Sequence, residues 1–535
     1  MRRLAMPVLF AFVTGCATAP PAEKPLPEDA AQVPPDTLAQ PVAKPPPPPV
    51  PVPYVPLPAV EPMKVVLVPV PNKPIVSVRL VFRTGSVDDP EGREGLTALT
   101  TRVLVEGGTA SLSSSELLDA LYPMAAELDS DTDKEFTTIA GRVHVERLPR
   151  FLEILGEVLL APRFDPREFE RLKGEQLNAI RTRLRGENDE ELGKVGLDAL
   201  LYAGHPYGHF TGGTEKGLEA TSLDDVKAHW KNVFTQDRLI IGLAGGVDDA
   251  LAQQVKTALS ALPATGVARK PLPPAPGVRG AALIIQRDTL STAGSFGFST
   301  AMRRDNPAFF TLMMAASYFG EHRQEHGVLF QEVRDKRGLN YGTYAYAQHY
   351  RQDGWSSIPL PNIARSEQDV TIWLRPVEAK AGLFATRAVL HYLEQLRTAP
   401  IPAERFETAR GFLAGATRQW VLTDQRRLGW AIDDVVYGTR DFLGQLRQAL
   451  ETMTPEQVQA AARNELDPSQ LNFVFVTKDA EGLKDGLVSQ APTPITYPTA
   501  KPPEVLSDDK LIAVTPIPVH PELIRVVPAA EFMRE

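Results

Sequence analysis

A divergent internal repeat constrains this chain more than any other feature. FDPREFERLKGEQLNAI around Phe169 returns as IPAERFETARGFLAGAT around Phe406, an offset of 237 residues. RLIIGLAGGV around Leu239 returns as QLNFVFVTKD around Leu471, an offset of 232. Between these pairs, TSLDDVKAHW matches TPEQVQAAAR, each a hydroxyl-capped helix entering the last strand of its half. Solenoid repeats are far shorter, about 20–50 residues. A unit this long occurring twice therefore means two tandem domains.

Both halves carry the same order of patterns. In the first, MKVVLVP and IVSVRLVFRTG alternate or run with β-branched residues and read as strands. A helix starts at Gly95, and SSSELLDALY opens a second on its serines. ELDSDTD and EFTTIAGRVH read as strands, and helical periodicity then covers Glu146 to Leu160, Arg167 to Leu184 and Glu190 to Tyr202. The second half repeats this from ALIIQRD through QLNFVFVT. The fold class is α+β: two tandem homologous α/β sandwich domains, each an antiparallel-type sheet with helices on one side, together forming a clamshell half. The domains span 63–271 and 281–490, joined by the proline-rich LPPAPGVRG at 272–280. A proline-rich extended tail fills 491–535, where LIAVTPIPVHPELIRVVPA offers a strap.

Residues 1–15 read as a lipoprotein signal peptide, with Arg2 and Arg3 before an apolar stretch from Leu4 to Val13. Val13-Thr14-Gly15-Cys16 resembles a bacterial lipobox, which implies cleavage before Cys16 and acylation of its thiol. An ordinary secretory signal with an incidental cysteine is the other reading. Cys16 is the sole cysteine, so disulfides play no part in the fold. Ala17 follows it, so the expected address is a Gram-negative cell envelope, lipid-anchored in the outer membrane and facing the periplasm. Segment 16–62 is proline-dominated and reads as an extended spacer between anchor and body. A net charge of −9 without a basic run excludes nucleic acid as an expected partner.

Gly95 to Thr109 reads GLTALTTRVLVEGGT. It is similar to the active-site helix of the pitrilysin/insulinase-type (inverzincin) zinc metallopeptidases, roughly G-L-A-H-x-x-E-H-x-L-x-x-G-T. On that frame the first zinc histidine falls at Ala98, the catalytic glutamate at Thr101 and the second histidine at Arg102. The third ligand, a glutamate, falls at Ala179. Histidines at i and i+4 bind one zinc from one helix face, and the glutamate takes a proton from the metal-bound water. Alanine offers no lone pair, threonine is no base near neutral pH, and arginine is a permanent cation. The resemblance therefore implies a half with no zinc of its own.

In the second half, LFQEVRDKRGLNYGTYAY is similar to the family's L-F-x-x-L-R-E-x-x-G-L-x-Y segment. The resemblance implies that Arg334 and Tyr341 contact the substrate backbone and the scissile carbonyl. Helix capping by Arg334 and strand packing by Tyr341 is the alternative. Loss of the zinc shell with retention of this pair resembles the non-catalytic subunit of two-chain bacterial or mitochondrial-processing-peptidase-like members. That implies a chain inactive alone, binding peptide or unfolded protein. It also implies a homologous catalytic partner that carries H-x-x-E-H and the zinc. A freestanding peptide-binding or structural lipoprotein is a second reading. A third is a zinc peptidase built on His322-Arg323-Gln324-Glu325-His326, with ligands His322, His326 and Glu404 and base Glu325. Against the third, the apolar helix from about Pro307 should end at Gly320, before the motif. His205 and His209 in HPYGH are separated by Pro206 and Gly208 and read as a loop. Glu187 to Glu191 in GENDEE read as an acidic helix start rather than a cation site.

Overall fold

The computed structural model describes residues 48–321, 324–354 and 356–535. The signal segment 1–15, Cys16 and His322 lie outside the described residues. The first sheet comprises β1 (Lys64–Pro69), β2 (Ile75–Phe82), β3 (Glu127–Thr132), β4 (Thr137–His144) and β5 (Leu239–Gly245), ordered β1-β5-β2-β4-β3. The second comprises β6 (Ala282–Gln286), β7 (Ser291–Thr300), β8 (Thr343–Tyr346), β9 (Gln368–Glu378), β10 (Asn472–Thr477) and β11 (Ile524–Pro528), ordered β11-β6-β10-β7-β9-β8. Without β11 the two orders coincide strand for strand, as the repeat requires. Both sheets are mixed. β1 runs parallel to β5, and β6 runs parallel to β10 and β11; the other neighbours are antiparallel. The last strand of each half returns after several helices, a crossover long enough for parallel pairing with the first.

Alternation decides which side of each strand meets which core. Val76, Val78, Leu80 and Phe82 of β2 pack with Phe151, Ile154, Leu155 and Val158 of the helix Leu148–Leu160. Phe473 and Phe475 of β10 enter the equivalent core of the second half with Phe384, Ala388 and Val389. The matched helices Leu223–Val233 and Pro455–Glu465 both open with a reciprocal capping box, Ser222 with Asp225 and Thr454 with Gln457. The apolar helix Phe309–Gly320 does end at Gly320.

The opposite face of each sheet is covered by a helix from the other half. Val81, Ile240 and Ala244 pack on Leu428, Ile432 and Val436 of the helix Asp424–Tyr437. Val474 and Val476 pack on Leu192, Val195 and Leu200 of the helix Asp189–Leu201. Glycine makes both contacts close. A Cβ at Gly196 would fall 2.9 Å from Val474 Cγ1, and one at Gly242 would fall 2.7 Å from Ile432 Cδ1. Each half therefore depends on the other for a sealed core.

The chain ends depart from the sequence expectation. The described part of the proline-rich spacer, from residue 48, lies against the body. Val52 bridges Ala275 of the 272–280 connection, Leu57 is buried, and Arg83 donates to the Leu57 and Pro58 carbonyls. Extended proline-rich backbone leaves its carbonyls unpaired within itself, and arginines of both halves use them; Arg303 donates to Val55. The tail after 491 is not simply extended either. Pro502 and Pro503 set the start of a helix, Pro503–Ile512, because proline suits a first helical turn. Ile524–Pro528 then joins the second sheet as β11. The Met533 and Arg534 carbonyls finally accept from the Glu215 and Lys216 amides of the first half.

Candidate functional site

A cavity of about 870 Å³ opens where the halves meet. The first half contributes the helix Leu96–Glu106, the edge strand β3, the turn after it, and the chain from Glu175 to Arg183. The helix Asp189–Leu201 adds Lys194 and Asp198, and β9 with the loop 349–352 completes the far wall.

The helix Leu96–Glu106 is fixed at its start by Asp89. This carboxylate accepts from the Gly95 and Thr97 amides, each at 2.7 Å, and from Thr97 Oγ1 at 2.6 Å. Ala98, Thr101 and Arg102 fall at i, i+3 and i+4 and share the face that lines the cavity. Ala179 joins them where the helix Pro166–Asn178 passes into the π-helix Ala179–Glu187. The structure thus gathers all four positions that the resemblance assigns to the metal site, and their side chains do not fit a zinc ion. Thr101 Oγ1 spends its proton on the Thr97 carbonyl at 2.8 Å. Arg102 bonds Glu106 through Nε (2.8 Å), Glu175 through Nη2 (2.7 Å) and the Leu172 carbonyl through Nη1 (3.2 Å). Burial alone would lower the Arg102 guanidinium, but Glu106 and Glu175 outweigh it and hold it above its ordinary value. The bond from Arg102 in turn holds Glu175 below the usual carboxylate range. A guanidinium–carboxylate cluster stands where a metal shell would be. Among the described residues no group of three or more His, Cys, Asp or Glu side chains has the geometry to hold a metal ion.

The cavity floor holds a buried ion network that crosses the halves. Asp133, just after β3, accepts from Arg365 Nη2 at 2.9 Å and Nε at 3.3 Å, and lies 3.2 Å from His349 Nε2. Burial would raise the Asp133 carboxyl, but Arg365, His349 and Arg351 together hold it well below the usual range. Arg351 also forks onto Asp131 of β3, at 2.8 and 3.0 Å. Lys134 lies 3.4 Å from Asp198. Sequence reading missed this network. Its one visible trace is the run Asp129, Asp131, Asp133 at alternate positions, which puts the acids on one side of the strand.

Of the other candidate residues, Asn188, Glu190 and Glu191 of GENDEE line the cavity, and the rest lie away from it. Arg334 sits on the π-helix Phe330–Asp335 with its guanidinium 4.3 Å from the Phe330 ring centroid. Tyr341 is 79% exposed. Neither lines the cavity. Residues 324–327 belong to no helix, His326 packs on Phe412 at 5.0 Å between centroids, and Glu325 is exposed. Glu404 is exposed in the first turn of the helix Ala403–Gln419. His205 is buried, accepts from the Tyr207 amide on Nδ1 and lies 3.0 Å from the Pro273 carbonyl through Nε2. His209 pairs with Asp89 at 3.2 Å. The two therefore serve different contacts rather than one shared ion. In GENDEE, Asn188 caps the helix Asp189–Leu201, while Glu190 pairs with Lys194 and Arg375.

Comparison with known proteins bears on this architecture. Residues 64–200 match the model of the insulinase family, peptidase family M16, and residues 220–413 match that of the peptidase M16 inactive domain. A protein of Bacillus subtilis (strain 168) named an uncharacterized zinc protease, YmxG, is 22% identical over 55% of this chain and 70% of its own length. A Helicobacter pylori protein named a non-peptidase homolog is 29% identical over 36% of this chain, and the match spans 44% of that relative. The solved structure of a peptidase M16 inactive domain from Pseudomonas fluorescens superposes with a TM-score of 0.67 at 22% identity, covering 79% of this chain and 98% of that one.

Proposed function

Because the chain belongs to the insulinase family of peptidases, family M16, we propose that it is a non-catalytic, substrate-binding subunit of a zinc metallopeptidase. Its partner is a homologous catalytic chain that carries H-x-x-E-H and the zinc. The carrying observation is Arg102, tied to Glu106 and Glu175 among Ala98, Thr101 and Ala179. That wall offers a metal no ligand set, and its Glu175 carboxylate is taken up by Arg102 and Arg171. The cavity itself suits an extended peptide. Among the described residues β3 is an edge strand paired only with β4, so its outer backbone groups are available for strand addition. Arg334 and Tyr341 lie off the wall, and Tyr341 is exposed, an arrangement suited to completing a partner's site rather than this one. The expected lipid anchor at Cys16 places the assembly at the outer membrane, facing the periplasm. The full chain purified without partner should hold far less than one zinc per molecule and cleave no unfolded peptide. One zinc per chain, with cleavage abolished by Glu325→Ala, would overturn this and favour the site at His322, His326 and Glu404.

A further inference from the structure

Segment 491–535 lies beyond the residues matched by the two family models, 64–200 and 220–413, yet it is bonded to the stretch that carries Arg334 and Tyr341. The link is Arg337, which falls between those two residues and whose side chain is fully buried. Its Nε donates to Asp509 Oδ1 at 2.8 Å and its Nη2 to Asp508 Oδ2 at 2.9 Å, both on the helix Pro503–Ile512. Its Nη1 donates to the Glu332 carbonyl at 2.8 Å, inside the π-helix Phe330–Asp335. The two aspartates are themselves fixed. Asp508 accepts from the Tyr392 hydroxyl and lies 3.1 Å from His391 Nε2, both on the helix Gly382–Thr398. Asp509 Oδ2 accepts from the Tyr497 hydroxyl at 2.9 Å.

π-Helical turns are rare and frequent at functional sites. Val333 anchors this one in the core, and Asn340 anchors the chain before β8 by donating to the Arg375 carbonyl at 3.0 Å. Arg337 is the tie between those anchors. Just after it the chain turns at Gly338, in the left-handed region at φ 69°, and Tyr341 follows with its ring exposed. Where Arg334 and Tyr341 project is therefore set by the backbone around Arg337 rather than by packing of the Tyr341 ring. A guanidinium forked onto carboxylates fixes geometry as well as charge. Without Asp508 and Asp509 the Arg337 guanidinium keeps Glu332 and the face of the Tyr392 ring, and a buried cation stripped of partners is strongly unfavourable where it stands. We propose that Asp508 and Asp509 are positioning residues: through Arg337 they hold the π-helix and turn that present Arg334 and Tyr341 to the partner's site. The proposal rests on the reading of that pair given above and adds to it a segment that lies outside the family models.

The test compares the full chain with its Asp508→Asn/Asp509→Asn double variant in two measurements. In amide hydrogen exchange read by mass spectrometry, residues 330–341 should exchange at least about tenfold faster in the variant, while β7 and β10 keep their protection. In cleavage of a quenched peptide by the mixture with a homologue carrying H-x-x-E-H, kcat should fall at least about tenfold, since misplacing a contact by about 1 Å can cost about 10²-fold. If the double variant fails to fold by circular dichroism, Asp508→Asn alone carries both measurements, because that side chain is partly exposed. Unchanged exchange across 330–341 overturns the tie. Faster exchange with an unchanged kcat, in a mixture that Tyr341→Phe does slow, makes the aspartates structural only and overturns the positioning role. A mixture indifferent to Tyr341→Phe overturns the reading of the pair itself, and the proposal with it.

Discussion

Replacing Arg365 with methionine should destabilise the protein far more than the same change at Arg102, although both arginines bind carboxylates. Arg365 and Asp133 are each 3% exposed in their side chains, and the pair joins the two halves. The substitution removes two donors, at 2.9 and 3.3 Å, from a carboxylate that stays buried. Breaking a buried pair costs about 3–5 kcal/mol. Asp133 keeps His349 at 3.2 Å and Arg351 at 3.4 Å, so the lower end applies, about 3 kcal/mol. Unfolding of the compact unit Pro45–Glu535 carries an entropy of about 1 kcal/mol/K at about 2.1 cal/mol/K per residue. The expected fall in Tm is therefore about 3 °C. Arg102 is 27% exposed, and Glu175 keeps Arg171 at 2.7 Å, so Arg102→Met should cost less than about 1 kcal/mol. Scanning calorimetry at pH 7, with the calorimetric and van't Hoff enthalpies compared, gives both values. Acid supplies an internal control. The Asp133 carboxyl is depressed in the folded state, so its contribution is present above the unfolded value of about 3.9 and disappears as pH falls through the folded value. The gap between wild type and Arg365→Met should close in that window. Equal effects of the two substitutions, or a gap that persists in acid, would refute the reasoning.

Burial, reinforced by Glu135, pushes the Glu367 carboxyl up to about 8. Its neutral form is favoured on folding, so its contribution is full below the unfolded value of about 4.3 and is lost as pH rises toward 8. Glu367→Gln should flatten the fall in urea midpoint between pH 5 and 8, and parallel profiles would count against a buried neutral acid. Cys16→Ser should move the protein from the membrane to the soluble periplasmic fraction; unchanged fractionation would remove the anchor. Tyr341→Phe removes one hydroxyl from a side chain that is 79% exposed, so folding and association should hold. Cleavage by the assembled pair should slow by about 10²–10³ if that hydroxyl meets the oxyanion, and an unchanged rate would leave Tyr341 a framework residue.

Much of the fold could be read in the sequence because alternation is a strong local signal. Val76, Val78, Leu80 and Phe82 define the buried face of β2 from spacing alone. The exchange of Asp189–Leu201 and Asp424–Tyr437 between halves was not legible. A helix's apolar stripe shows that it packs, not which sheet it packs on. Gly196 hints at a close approach without naming the surface approached. The docked spacer was missed for a related reason: proline content predicts extended backbone but is silent on whether body arginines take its carbonyls. At the site, Ala98, Thr101, Arg102 and Ala179 were placed on one wall by family pattern, and the structure gathers them there. The ion network of Asp133 with Arg365 was beyond reach, since the two lie 232 residues apart and the pair exists only once the halves close.

Reconstitution with a homologue of the same organism that carries H-x-x-E-H, the proposed partner, tests the central claim most directly. An unfolded, fluorescence-quenched peptide is offered to this chain, to the homologue carrying H-x-x-E-H, and to an equimolar mixture. The proposed function predicts no cleavage by this chain, little by the homologue alone and rapid zinc-dependent cleavage by the mixture. Cleavage by this chain alone, or a homologue whose rate is unaffected by adding it, would contradict a non-catalytic subunit that completes a partner's site.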